Sequence, residues 1–162
     1  MNQNKTTNFS RRIDVTVQVT LDADIPLPKV SQFEEWVAAT LAEVKYKKDA
    51  ELNIRIVGKK ESAGLNKIYR RKNRSTNVLS FPFKAPDFIK SNALGDLIIC
   101  APVVVSEAEK QNKEITSHWA HLVIHGLLHL LGFDHEDIVS SVKMETMEIR
   151  IMKKVGFGDP YT

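Results

Sequence analysis

From Ile13 to Val19 every second residue is apolar (Ile13, Val15, Val17, Val19), the two-residue period of a strand with one buried face. Pro26 and Pro28 break the chain, and Ser31 followed by Glu34 reads as a capping box. A helix is expected there, with Phe33, Val37, Leu41 and Val44 as its apolar stripe. The two-residue period returns at Leu52, Ile54 and Ile56 and stops at Gly58. A short helix should follow with Leu65, Ile68 and Tyr69 turned inward, then a strand from Val78 to Phe81 closed by Pro82. Residues 83 to 94 read as a long loop, and Leu97 to Cys100 as another strand. Pro102 suits the first turn of a helix reaching about Gln111. A long helix is expected from about Ile115 to Leu131, stopped by Gly132, because glycine tolerates the left-handed turn. Asp137 can cap a last helix whose inner stripe is Met144, Met147, Ile151 and Val155.

This order mixes strands and helices without strict βαβ alternation. It predicts an α+β fold, one domain over residues 13–162 behind a flexible tail at 1–12, with about four strands in a mixed sheet packed against about five helices. A chain of 162 residues, 43% hydrophobic and 27% charged, has the size and profile of one globular core. No apolar run approaches the roughly 18 residues that span a bilayer, and the polar stretch Met1–Arg12 is unlike a signal peptide. The expectation is therefore a cytoplasmic protein with no membrane contact. Cys100 is the single cysteine, which excludes an intrachain disulfide, and its apolar run marks it as a buried, inert thiol. Trp36 and Trp119 sit on apolar helix faces and read as core.

Net charge is only +3, but it is unevenly spread. Lys59, Lys60, Lys67, Arg70, Arg71, Lys72 and Arg74 stand against one acid, Glu61, a local +6. A solvated helix and turn would account for this run; so would a polyanionic partner.

The five histidines all lie between His118 and His135, and four fall on the expected long helix. At about 100° per residue, His118, His121, His125 and His129 take azimuths near 0°, 300°, 340° and 20°, one shared face. His125 and His129, at i and i+4, project from adjacent turns and can converge on one ion at about 2.0–2.1 Å per bond. Gly132 then permits a reversal that delivers His135 as a third ligand. His121 and His129 are about 12 Å apart along the axis and cannot share a metal in regular helix. His121 and His118 are expected to support the ligands, line the groove or fill core, and Asp134 either orients a ligand histidine or stabilises the turn. Three ligands leave a fourth position open, the pattern of a catalytic site; closure by a residue such as Asp134 would make the metal structural.

The ligand spacing also matches metzincin proteases, which carry a glutamate beside the first histidine as general base. Here that position is Gly126, and no other carboxylate replaces it within the turn. Peptide hydrolysis is the least favoured reading. Hydrolysis of a phosphodiester asks less of the protein, because a metal and a cation can share the developing charge.

Two histidine segments, His118-Trp119-Ala120-His121-Leu122 and the run from His125 to His135, resemble the YbeY endoribonuclease family, also called the rRNA maturation factor family. So do Leu65–Arg70 leading into Thr76–Pro82, the segment Leu94–Cys100, and the ending Gly156–Tyr161. The resemblance runs in order over nearly the whole chain from about Ile13. Phe133 stands where the family often has tyrosine. The resemblance implies an α+β metalloprotein binding one zinc ion through His125, His129 and His135. It implies a single-strand-specific endoribonuclease that helps mature the 3′ end of small-subunit rRNA and serves ribosome quality control. The family's functional arginine falls on Arg70, which is expected to clamp the scissile phosphate with its planar fork. Lys67, Arg71, Lys72 and Arg74 are expected on the RNA backbone. Implied partners are rRNA, the small ribosomal subunit, ribosomal proteins and a GTPase assembly factor. The competing reading is a non-catalytic ribosome assembly factor whose metal is structural.

Overall fold

A computed structural model describes residues 11–70 and 76–162. Residues 1–10 of the expected tail, and the basic residues Arg71, Lys72 and Arg74, lie outside the described residues. Among the described residues nine elements follow one another: β1 (Ile13–Val19), α1 (Val30–Glu43), β2 (Ala50–Val57), α2 (Lys59–Arg70), β3 (Val78–Pro82), β4 (Ala93–Cys100), α3 (Ala101–Lys110), α4 (Ile115–Leu130) and α5 (Ile138–Lys154). The four strands form one mixed sheet in the order β1-β2-β4-β3. β1 and β4 run parallel to β2, and β3 runs antiparallel to β4. This is the α+β fold of four strands and five helices that the periodicities predict. No helix among the described residues is long and apolar enough to cross a membrane.

The core lies between one face of the sheet and α1, α4 and α5. Leu52, Ile54, Ile56, Leu97 and Ile99 meet Phe33, Trp36, Leu41, Trp119, Ile124, Leu127, Leu128 and Ile151, all buried. Phe33 stands edge-on to both tryptophans, with ring centroids 5.5 and 6.0 Å away, a favoured aromatic geometry. α4 is apolar around most of its circumference because it runs through this core. Its remaining face, which carries the histidines, opens beside β3.

α2 lies on the opposite side of the sheet from α4. Along β4, Leu97 meets Gly126 of α4, while Cys100 meets Ser62 of α2, and residues of opposite parity point to opposite faces. The hydroxyl of Ser62 also ties α2 to the entry of β3, donating to the carbonyl of Thr76 and accepting from its N–H, both at 3.1 Å. Cys100 is fully buried, and burial pushes its thiol pKa up, so it is inert as expected.

Three local readings need correction. α1 begins at Val30, with Ser31 already inside the first turn; Gln32, not Glu34, reaches back to accept the Lys29 N–H at 2.8 Å. Ile68 and Tyr69 are 70% and 61% exposed, and α2 buries Ser62 and Asn66 instead. Apolar spacing alone turns the stripe inward, whereas α2 is anchored by polar contacts. β4 starts at Ala93, so the loop before it is shorter than the sequence suggests. On the open sheet face, Asp96 accepts a hydrogen bond from Asn53 at 3.0 Å.

Candidate metal centre and cleft

The edge strand β3 is the floor of a cleft of about 660 Å³. Its residues and the preceding Thr76 and Asn77 line the cleft together with Tyr69, Arg70, His125, His129 and His135. Parity sets the walls. Ser80 faces α4, its hydroxyl donating to the Gly126 carbonyl at 3.1 Å. Phe81 points the other way and meets Tyr69 of α2. The histidines and Arg70 thus face one cleft from opposite sides of a single strand.

Helix geometry and one turn bring the imidazoles together. His125 and His129 stand one turn apart on α4, ring centroids 4.6 Å apart. Gly132 follows with φ +96°, a left-handed conformation that reverses the chain. His135 arrives with its ring 5.6 Å from that of His125 and 5.0 Å from that of His129. One ligand nitrogen from each lies within 4.8 Å of the others, and among the described residues no fourth His, Cys, Asp or Glu joins this group.

The donor chemistry fits a divalent metal. The Nδ1 of His125 lies 2.5 Å from the Glu148 carboxylate, so that nitrogen carries the proton and Nε2 carries a lone pair. The Nε2 of His129 faces it at 3.1 Å, near the roughly 3.3 Å separating two imidazole donors on a tetrahedral zinc. Burial, then the neighbouring His125 and His135, lower the His129 pKa, only partly opposed by a hydrogen bond with the Phe133 backbone. A neutral imidazole is the form that ligates.

Glu148, which the sequence reading did not single out, is the fully buried carboxylate behind this site. It receives His125, His121 at 3.2 Å and the Tyr161 hydroxyl from the C-terminal segment. Burial pushes its carboxyl up, but the hydrogen bonds from His121, His125 and Tyr161 outweigh that and hold it at about 2. Tyr161 also stands edge-on to His121, ring centroids 5.3 Å apart. Burial and the adjacent Glu148 push the tyrosine pKa upward, so the hydroxyl keeps its proton and donates. His121, His125 and Glu148 have ligand atoms close enough to suggest a second metal group. Each histidine is hydrogen-bonded to Glu148, however, and a ring proton donated to the carboxylate occupies the space an ion would need.

Asp134 is exposed and accepts the Glu136 N–H at 3.3 Å, bracing the bend that carries His135. His121 meets Glu148 and lies behind His125. His118 is buried, with Glu107 3.9 Å away; burial first, then His121 and Lys113, lower its pKa to about 4, and it stays neutral. Lys67 is exposed on α2, one turn before Arg70.

Gly126 has a packing reason. A Cβ there would stand 2.9 Å from Leu97, 3.2 Å from the Ser80 hydroxyl and 3.3 Å from Val78. α4 can therefore approach β3 and β4 closely only because this position has no side chain. A Gly126→Glu variant, which would restore the protease-type sequence, should be destabilised by at least ~3 kcal/mol through overpacking and an unpaired carboxylate. Chemical denaturation would measure it; unchanged stability would refute the close-packing argument.

A histidine cluster that could hold a metal ion, facing an arginine across the edge of an α+β sheet, defines the class of a candidate metal-dependent hydrolase. The family model for endoribonuclease YbeY matches residues 16–156. The chain is 54% identical over 137 residues to an endoribonuclease YbeY of Colwellia psychrerythraea, covering 83% of this chain and 88% of that one. It also resembles the solution structure of a Thermotoga maritima protein, with a TM-score of 0.57 and 27% identity over 88% of each chain. The chain belongs to the YbeY endoribonuclease family and is an enzyme of the nuclease class.

Proposed function

We propose that this protein is a zinc-dependent, single-strand-specific endoribonuclease that matures the 3′ end of small-subunit rRNA and takes part in ribosome quality control. The observation that carries the reading is the convergence of three imidazoles in a cleft whose opposite wall presents Arg70, in a chain of this family. His125, His129 and His135 would hold one ion. A set of three nitrogen donors with no thiolate suits catalytic zinc better than structural zinc. When bound, the ion supplies Lewis acidity toward a phosphate oxygen and lowers the pKa of a water molecule.

The chain's own residues do the rest. Arg70 grips the scissile phosphate through two parallel N–H donors and stabilises its growing negative charge. Glu148 keeps His125 in the tautomer that offers Nε2 and fixes its ring plane. Lys67, with Arg71, Lys72 and Arg74, holds the RNA backbone, which makes binding salt-sensitive. The site sits in a cytoplasmic protein that meets rRNA on the small ribosomal subunit, beside ribosomal proteins and a GTPase assembly factor. Gly126 counts against a protease, since it supplies no general-base carboxylate and a side chain there would press on Leu97, Ser80 and Val78.

The test is cleavage of a single-stranded rRNA 3′ fragment by zinc-loaded protein, beside the same sequence annealed into a duplex. Cleavage of the single strand alone is expected. Arg70→Ala should lower the rate about 10²- to 10³-fold, the scale for losing one charge-stabilising donor. Arg70→Lys should recover only part of it, because an ammonium cannot form the bidentate fork. Wild-type rates from Arg70→Lys would remove the clamp.

A further inference from the structure

Tyr69 is the residue before Arg70, and 61% of it is exposed. A tyrosine this open adds little to the core. It nevertheless has a fixed setting: its ring stands 4.7 Å from that of Phe81, with an interplanar angle of 62°. Phe81 belongs to β3 and is partly buried, so it backs Tyr69 from the sheet. Both rings line the cleft that holds Arg70 and the three histidines. The wall opposite the imidazoles thus offers, side by side, an aromatic surface and a guanidinium.

We propose that Tyr69, backed by Phe81, is a stacking platform for one nucleobase of the single-stranded RNA. This rests on the endoribonuclease reading and deepens it. Adjacent residues would then take the two parts of a nucleotide, Tyr69 its base and Arg70 a phosphate. Every base has a π-face, so such a platform accepts RNA without regard to sequence. In a duplex each base is already covered above and below by its neighbours. The platform therefore favours unpaired RNA and gives single-strand selectivity a physical source within the cleft.

The experiment uses zinc-loaded, full-length protein and a cleavage-resistant 2′-O-methyl oligonucleotide carrying one 2-aminopurine, whose fluorescence falls when the base stacks. Wild type should bind and quench. Tyr69→Ala should weaken binding roughly 5- to 150-fold, the range for one base–aromatic stack, and abolish the quench. Tyr69→Phe and Tyr69→Trp should keep both. An abasic nucleotide in place of 2-aminopurine should cost wild type as much as Tyr69→Ala does, and should cost Tyr69→Ala nothing further. If Tyr69→Ala binds and quenches like wild type, the platform is wrong and the nuclease reading stands. If wild type neither binds nor cleaves single-stranded RNA, both fall together. Tyr69 is exposed, so these variants should fold as wild type does, and a thermal melt checks it.

Discussion

Exchanging His125 and His129 together for alanine should remove both metal binding and RNA cleavage. Two of the three nitrogen donors disappear, and a single imidazole on an exposed turn does not retain an ion. Metal content after dialysis should fall from about one ion per chain to background, and cleavage by more than roughly 10³-fold, since the uncatalysed reaction is far slower than any enzymatic rate. The helix should survive, because alanine has the highest helix propensity and both positions lie on the cleft side of α4, away from Trp119, Ile124, Leu127 and Leu128. The double variant does take one hydrogen-bond donor from Glu148. His129→Ala alone leaves that network whole and should still lose the metal, which separates ligand loss from damage behind it. Retained metal, or cleavage at the wild-type rate, would overturn the assignment. The same variants distinguish an enzyme from an assembly factor with structural zinc. Here the core closes on the far side of α4, so chelation should lower the melting temperature only by the mass-action loss of a bound ligand. Unfolding on chelation would instead mark the metal as structural.

How much of this was legible in the sequence differs from element to element. β1 and β2 announce themselves because each has one clean period-two face, and α4 because histidines at i and i+4 are followed by a glycine with the φ a reversal requires. The convergence of His135 is local geometry and could be read from spacing. Glu148 could not be read that way, since its partners lie 13 to 27 residues away and meet it only when α5 packs on α4 and the C-terminal segment returns. A signal was present nonetheless. Glu148 follows Met144 by four residues and precedes Ile151 and Met152 by three and four, which places a carboxylate on the buried stripe of its helix. A charge on that stripe is almost never fully buried without a partner. The error at Ile68 and Tyr69 has the opposite origin. Apolar residues at helical spacing imply a buried face only where an apolar surface exists to receive them. α2 instead docks through Ser62 and leaves Tyr69 open to the cleft.

Glu148→Gln should weaken metal binding about 10- to 100-fold, the usual cost of losing a carboxylate that orients a ligand histidine. The native carboxylate only accepts, and three donors converge on it: the Nδ1–H of His125, the Nε2–H of His121 and the hydroxyl of Tyr161. An amide of the same shape brings its own two N–H groups into this space, with a single oxygen left to accept. At least one donor then meets a donor. The His125 ring can relieve the conflict by tilting or by moving its proton to Nε2, and either change spoils the lone pair that the proposed ligand role needs. Competition against a zinc-chelating indicator would read the affinity directly, without reference to RNA cleavage. Tyr161→Phe removes one of the three donors and leaves the carboxylate to His125 and His121, so its effect should be only a few-fold. Both variants lose stability as well, by about 1–3 kcal/mol for a buried group left without its partner. Affinity measured well below the melting temperature, where nearly every molecule is folded, is insensitive to that loss. A Glu148→Gln protein that binds zinc as tightly as wild type would show that the carboxylate only packs the helices together. A weaker affinity that leaves the rate at saturating zinc near wild type would show that its work is to aim His125, with no part in the chemistry at the phosphate.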